Sequence, residues 1–381
     1  MKTLLKDTHL VLFFTRGVSL KTWAELGSLE REIEIYRKLS ANLRKVSFVT
    51  YGGCEDRTYS ERLENIQVLP ATWYWHCGRS LTLLNLLIRH FPQIKDCDIL
   101  KTNQIPGSEI PVWLKKNIGK KLITRCGYLY SQFVKRETKN ERMIRTAYDL
   151  EKEAFTSADM GIVTSRRDCD YVIQEYKLNP EKLRVIPNYV NIDIFRPIPG
   201  LQKTHDIVYV GRAGTQKNLE NLLKAVAYLK SRARNISILM IGGCCKDTGI
   251  KQLIARYRLD ADLQGNVPNH DLPFFLNKAR IFILPSIYEG HPKALLEAMS
   301  CGLPCIGTDV VGIKDDITHL KNGYLCSPDH KSIACSIETL LHDEALRKRL
   351  GRNAREHIVN NYSLDRVLEM ELDAIREVLS K

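Results

Sequence analysis

Two cations and two carboxylates in the C-terminal half carry the spacing from which chemistry can be read. Arg212 and Lys217 follow an apolar run, DIVYVG (206–211), and precede a helical stretch. Cations between the carboxyl end of a strand and the start of a helix oppose the helix dipole, where acids are preferred. A bound anion accounts for both; each alone reads equally well as a solvated loop residue. Glu289 and Glu297 lie in PSIYEGHPKALLEAMSCGLPCIGTDVVG (285–312). There a strand ends at Pro285, a tight Glu289-Gly290-His291 loop follows, and Pro292 opens a helix that stops before Gly302. Pro at a helix start and Gly just past its end are the usual asymmetry of helix boundaries. The N–H groups of such a start suit a diphosphate, and Gly290 lets the backbone approach it. Glu297 on its own reads as a surface carboxylate on a helix with an apolar rim. Taken together, an anion-binding helix start, two cations and a helical carboxylate suit a nucleotide diphosphate.

The elements that position these residues alternate strand and helix. In the first half the candidate strands are 9–14, 46–50, 98–102, 121–125, 160–164 and 183–186, with helices over 28–40 and 141–158. The second half restarts at 206–211, followed by a helix over 218–231, strands 236–242 and 280–285, a helix over 292–301 and a strand 304–308. Short apolar runs of this kind fill parallel sheets covered by helices on both faces. Residues 195–205, FRPIPGLQKTH, read as a linker. The expected fold is α/β, two Rossmann-like doubly wound domains, whose ligands bind beyond the strand carboxyl ends.

Length and composition agree. The 381 residues, 44% hydrophobic and 27% charged, suffice for two full cores. The N-terminal stretch MKTLLKDTHLVLFF holds Lys2, Lys6 and Asp7 and lacks a cleavage site, so it reads as a polar lead-in to a first strand rather than an export signal. The eleven cysteines are odd in number and form no C-x-x-C pair, which fits buried thiols in a reducing, cytosolic compartment. The net charge of +13 is concentrated in residues 1–200, with 32 Lys and Arg against 23 Asp and Glu; residues 101–150 alone hold 11 against 4. That is either a solvated basic face or attraction to phospholipid or polyphosphate.

At this point the sequence resembles the retaining glycosyltransferases of family four, which have the GT-B fold. IPNYVNIDIFRP (186–197), VYVGRAGTQKNLENLLKA (208–225), EGHPKALLEAMSCGLPCIGTDVVGIKDDI (289–317) and NGYLCSPD (322–329) carry the resemblance. Glu289 and Glu297 have the spacing of the family's E-x-seven-E motif. The resemblance implies two domains facing a central cleft: an acceptor-binding domain over 1–195, a nucleotide-sugar domain over 206–365, and a C-terminal helix, 366–381, crossing back to the first. It implies that Arg212 and Lys217 grip the donor diphosphate, Glu297 holds the ribose hydroxyls, and Glu289 faces the transferred sugar. The backbone of Gly290, His291 and Pro292 would touch sugar hydroxyls or phosphate. In the first domain, residues 15–39 look like the loop and helix that close over the donor, with Gly17, or else Gly27, as the close-approach glycine. Arg125 stands where many members have the His of a His-Gly pair; it would bind a carboxylate, phosphate or sugar hydroxyl, or shape the loop. Tyr189, Asn191 and Asp315 replace the usual Gly, Asp and Glu.

The implied reaction moves a hexose-type sugar from a nucleotide-diphosphate sugar to a glycan or lipid-linked acceptor in cell-surface polysaccharide or glycoconjugate assembly, with retained configuration and no protein nucleophile. No cofactor or essential metal is expected: the D-x-D pairs at Asp96, Asp168 and Asp260 adjoin no donor motif. A catalytically dead scaffold and a basic membrane- or anion-binding protein are the rivals. Intact Arg212, Lys217, Glu289 and Glu297 weigh against the former. The basic residues are not interleaved with aromatics as nucleic-acid binding requires. IPVWLKKNIGKKL (110–122), with Trp113 and four lysines, reads either as a seat on an anionic membrane, which would make the protein peripheral on its inner face, or as a surface helix over the core.

Overall fold

The computed structural model describes residues 5–71 and 79–381, with side chains from residue 82 onward in the second stretch; Lys2 and Cys77 lie outside them. The chain divides into two compact units, Met1–Pro187 with Val367–Lys381, and Asn188–Arg366.

The first unit holds a seven-stranded parallel sheet: β1 (His9–Phe13), β2 (Lys45–Thr50), β3 (Ile66–Pro70), β4 (Ile99–Thr102), β5 (Lys121–Cys126), β6 (Met160–Val163) and β7 (Leu183–Val185), in the order β3-β2-β1-β4-β5-β6-β7. The second holds β8 (His205–Val210), β9 (Ser237–Ile241), β10 (Asp260–Gln264), β11 (Ala279–Leu284), β12 (Cys305–Thr308) and β13 (Tyr324–Cys326), ordered β10-β9-β8-β11-β12-β13. Every pairing is parallel. In both sheets the chain reverses its direction of growth between the first and fourth strands, the place where such sheets open a crevice.

Central strands are buried on both faces, as in β1 and β4, where every residue is inside. Helices start on side-chain caps: Ser165 accepts from the Asp168 N–H and Asp247 from the Ile250 N–H. Residues 195–205 lie within the second unit; Phe195 is 2% exposed and Lys203 donates to the Asn277 carbonyl. In helix Glu109–Ile118, Ile110, Val112 and Leu114 are buried, Trp113 packs on the same core, Lys115 pairs with Asp159, and Lys116 lies 2.8 Å from Glu153. Of its two readings, the helix over the core is the one these contacts describe. The described cysteines are all free thiols, most of them buried. Among the described residues, no helix is long and apolar enough to cross a membrane.

One buried group makes the first unit acid-sensitive. His9, at the head of β1, has no exposed side-chain surface; its Nε2 lies 2.9 Å from Ser47 Oγ and its Nδ1 3.2 Å from Asp96. Burial, reinforced by Lys45, lowers its pKa from 6.5 to about 4. Between those values the unfolded chain takes up a proton that the folded chain refuses, so stability falls as pH drops through this window. The loss should reach about 3 kcal/mol. Urea melts at pH 7 and 4.5 should show a smaller drop in His9→Gln than in the native chain; equal drops would remove His9 from the account.

Candidate functional site

The second unit brings the expected donor residues together at its crevice. Arg212 and Lys217 follow β8, and Glu289 to Pro292 follow β11, so both loops leave the carboxyl ends of the two strands where the sheet order reverses. After β8 the chain makes a short 3-10 turn, Thr215–Lys217, flanked by Gly214 at φ +147° and Asn218 at φ +54°. Asn218 pins that turn by donating to the carbonyls of Pro285, 2.9 Å, and Pro328, 2.8 Å.

The two loops are joined by side chains. Lys217 Nζ lies 2.5 Å from Glu289 Oε1, and both are largely buried, at 15% and 8% exposure. Ser286 Oγ donates to the same oxygen at 2.6 Å. Gln216 uses both ends of its amide: Oε1 accepts from Arg212 at 3.3 Å, while Nε2 donates to the Tyr288 carbonyl at 2.9 Å and to Glu289 Oε2 at 3.4 Å. The Ile287 N–H closes the junction on the Gln216 carbonyl at 2.9 Å. Arg212 is the more exposed cation. A carboxylate that accepts from an ammonium, a hydroxyl and an amide is well suited to receive or orient hydroxyl groups and poorly suited to attack carbon.

Pro292 caps rather than opens the following helix, Lys293–Ser300; its carbonyl accepts from Leu295 at 3.1 Å. His291 is turned into the core. Its Nδ1 accepts from the Asn188 N–H at 3.0 Å, so the ring proton is on Nε2, which faces Asp316 Oδ1 at 3.3 Å. What Gly290, His291 and Pro292 offer at the site is therefore backbone. Gly312, at φ +83°, backs that loop so closely that a Cβ would meet the carbonyl oxygens of Glu289 at 2.3 Å and Gly290 at 2.4 Å.

Glu297 is not the surface carboxylate its isolated sequence suggests. It is 2% exposed, and its Oε1 accepts from Asn269 Nδ2 at 3.0 Å. The apolar neighbours that made its helix face ambiguous are core residues, and the polar partner comes from the loop after β10. Gln216, Ser286, Asn269 and Asp316 were not singled out from the sequence.

In the first unit, Gly17 follows β1 at φ +76°, a turn conformation, and a Cβ there would meet nothing within 4 Å. Nearby, Gly107 packs tightly on the same loop: a Cβ there would lie 2.7 Å from the Phe14 carbonyl and 3.0 Å from the Arg16 nitrogen. Gly27, also at positive φ, serves the turn between two helices. Arg125, on β5, reaches the Ile186 carbonyl and Glu371 Oε1, each at 3.4 Å. Of the four roles open to it, these are contacts to the chain's own carboxylate and loop. Among the described residues, no three His, Cys, Asp or Glu side chains stand together as a metal site.

Comparison with known proteins agrees with this layout. Residues 191–357 match the family described as glycosyl transferases group 1, and residues 33–194 match glycosyltransferase family 4. Among curated relatives, the UDP-Gal:alpha-D-GlcNAc-diphosphoundecaprenol alpha-1,3-galactosyltransferase of Escherichia coli is 26% identical over 260 residues, 63% of this chain and 67% of that protein. The capsular polysaccharide biosynthesis glycosyltransferase CapM of Staphylococcus aureus is 29% identical over 179 residues, 46% of each chain. The first four curated relatives are matched over 46% to 67% of their own lengths. The solved sucrose-phosphate synthase of Thermosynechococcus elongatus superposes with a TM-score of 0.81 at 20% identity, covering 98% of this chain and 99% of that one. With two Rossmann-like sheets, a crevice at the order reversal of the second and both family regions in sequence order, the chain belongs to the group 1, family four glycosyltransferases of the GT-B fold.

Proposed function

We propose that the protein transfers a hexose-type sugar, with retention of configuration, from a nucleotide-diphosphate sugar to a glycan or lipid-linked acceptor in cell-surface polysaccharide or glycoconjugate assembly. The observation that carries this reading is the joining of Arg212, Gln216, Lys217 and Glu289 across the reversal point of the second sheet, beside the start of helix Lys293–Ser300. Arg212, Lys217 and the helix dipole would offset the charge growing on the departing diphosphate. A diphosphate entering there shares Lys217 with Glu289, which leaves the Glu289 carboxylate free to turn toward a sugar hydroxyl. Glu297 would accept from the ribose hydroxyls. No protein group is needed as nucleophile or metal ligand in this scheme. The leaving phosphate, on the same face as the acceptor, takes its proton.

The relatives support the acceptor class: the Escherichia coli protein is named for a diphosphoundecaprenol acceptor and the Staphylococcus aureus protein for capsule assembly. UDP and glucose are bound in the structure of Anabaena HepE, which shares the fold at a TM-score of 0.76 and 17% identity. Membrane docking through residues 110–122 forms no part of the proposal, because Ile110, Val112 and Leu114 are buried and Trp113 and Ile118 are partly buried against the same core.

Calorimetric titration with UDP, GDP, ADP and dTDP is the test. One nucleotide should bind in the micromolar range, and Glu297→Ala and Arg212→Ala should each weaken it roughly ten- to a hundredfold, the value of a hydrogen bond to a charged group. Absence of binding by folded protein would reject the donor site and favour an inactive scaffold.

A further inference from the structure

We infer that Asn269 is a positioning residue for nucleotide recognition, holding the Glu297 carboxylate in the plane that a ribose diol requires. The inference rests on the donor-site reading above and adds to it the residue on which ribose selectivity depends.

The geometry is that of a buried polar pair. Glu297 is 2% exposed and Asn269 8%, and the amide nitrogen of one stands 3.0 Å from the carboxylate of the other. They come from distant parts of the second unit: Glu297 from helix Lys293–Ser300, and Asn269 from the loop between β10 and helix Leu272–Asn277. Backbone contacts fix that loop, with Asp271 donating to the Pro268 carbonyl at 3.0 Å and Leu272 to the Asn269 carbonyl at 3.3 Å. The amide thus projects from a set backbone.

The chemistry explains why an amide is suited to this place. A buried carboxylate needs donors, and burying it alone is costly. A lysine or arginine would satisfy it but would also neutralise it. An asparagine N–H fixes the rotation of the carboxyl group while leaving its negative charge in place. That charge makes its hydrogen bonds to a ligand's hydroxyls charge-assisted. A vicinal diol presents two O–H donors, and it is best met by a carboxylate whose plane is already set. Loss of the amide removes a constraint on that plane, so the penalty falls on ligands that use both hydroxyls.

The experiment compares the tightest-binding of UDP, GDP and ADP with its 2′-deoxy counterpart, by calorimetry, on the native chain, Asn269→Ala, Asn269→Asp and Arg212→Ala. The native chain should prefer the ribonucleotide roughly tenfold or more. Asn269→Ala should weaken the ribonucleotide roughly tenfold and leave the deoxynucleotide nearly unchanged, so the preference shrinks towards one. Arg212→Ala should weaken both equally and keep the preference. Asn269→Asp sets a second carboxyl against Glu297, and like charges so close raise the pKa of one of them. Its binding should be poor at pH 8 and recover towards pH 5.5, where the protonated carboxyl donates as the amide did; the native chain should show no such recovery. An undiminished ribose preference in Asn269→Ala, or pH-independent binding in Asn269→Asp, overturns the inference and leaves the donor site standing. A native chain that binds no nucleotide, or binds ribo and deoxy forms equally, overturns the donor-site reading itself.

Discussion

Lys217→Ala should lower kcat roughly a hundred- to a thousandfold, the effect of removing one preorganised charge donor, about 2.7–4 kcal/mol. Lys217 is placed for this by more than its charge. Its turn is fixed by Asn218 on the Pro285 and Pro328 carbonyls, and its ammonium meets Glu289 at 2.5 Å. Alanine therefore removes one of the three donors that orient Glu289 and, on the proposed reading, a cation from the departing diphosphate. Both losses bear on the transition state, so kcat should fall more than KM rises. Arg212→Ala, at the exposed end of the same chain of contacts, should cost less in kcat and more in nucleotide affinity. The double variant should lose less than the product of the single losses, because Gln216 bonds Arg212 and Glu289, which in turn holds Lys217, and groups acting as a unit are non-additive. Steady-state kinetics with the cognate nucleotide sugar decides this, and an unchanged kcat in Lys217→Ala would remove that residue from the reaction.

The sequence exposes the centre of each sheet and one edge, β7, and hides the other three edges. β1, β4, β8, β9 and β11 are short apolar runs because helices cover both their faces, and those runs mark them within a residue or two. The three strands with no clear signal, β3, β10 and β13, all lie at sheet edges. β10 is DADLQ, with exposed and half-buried positions alternating, and nothing in its composition separates it from a loop. β13 has three residues and stands out only in its pairing with β12. The same division holds at the site. Arg212, Lys217 and Glu289 were legible because each sits within a few residues of a strand end, where a charge is informative. Glu297 was misleading alone because burial is decided by contacts far along the chain. Its donor is 28 residues away in the sequence, and Gln216 and Asp316 likewise act on loops they only meet in the fold. Gly107 shows the same limit: its tight packing is against the chain around Phe14 and Arg16, some ninety positions back, which nothing near it in the sequence announces.

The largest loss of stability should come from Glu371→Leu. Glu371, on the C-terminal helix Leu364–Ser380, is 3% exposed at its side chain, and in the first unit it meets Lys101 of β4 at 2.5 Å and Arg125 of β5 at 3.4 Å. Lys101 is itself 1% exposed, and burial lowers its pKa in spite of the neighbouring carboxylate. Desolvation is thus the dominant influence on that ammonium, and Glu371 is what makes the charge tolerable. Removing the carboxylate leaves the buried Lys101 ammonium beside the mostly buried Arg125 guanidinium with no carboxylate between them. Breaking a buried pair in this way costs about 3–5 kcal/mol, while replacing both partners by apolar groups of similar volume is often neutral. The triad makes the second statement testable in a particular form. Glu371→Leu alone should unfold at much lower urea, and Lys101→Met added to it should recover a large part of the loss. Recovery should be incomplete, because Arg125 still loses its carboxylate partner. If the double variant were no more stable than Glu371→Leu, the loss would lie in the packing of the helix rather than in the stranded charge. Arg184, whose guanidinium reaches both Glu377 oxygens at 2.6 Å further along the helix, supplies the contrast. That pair is partly exposed, and Glu377→Ala should cost no more than about 1 kcal/mol.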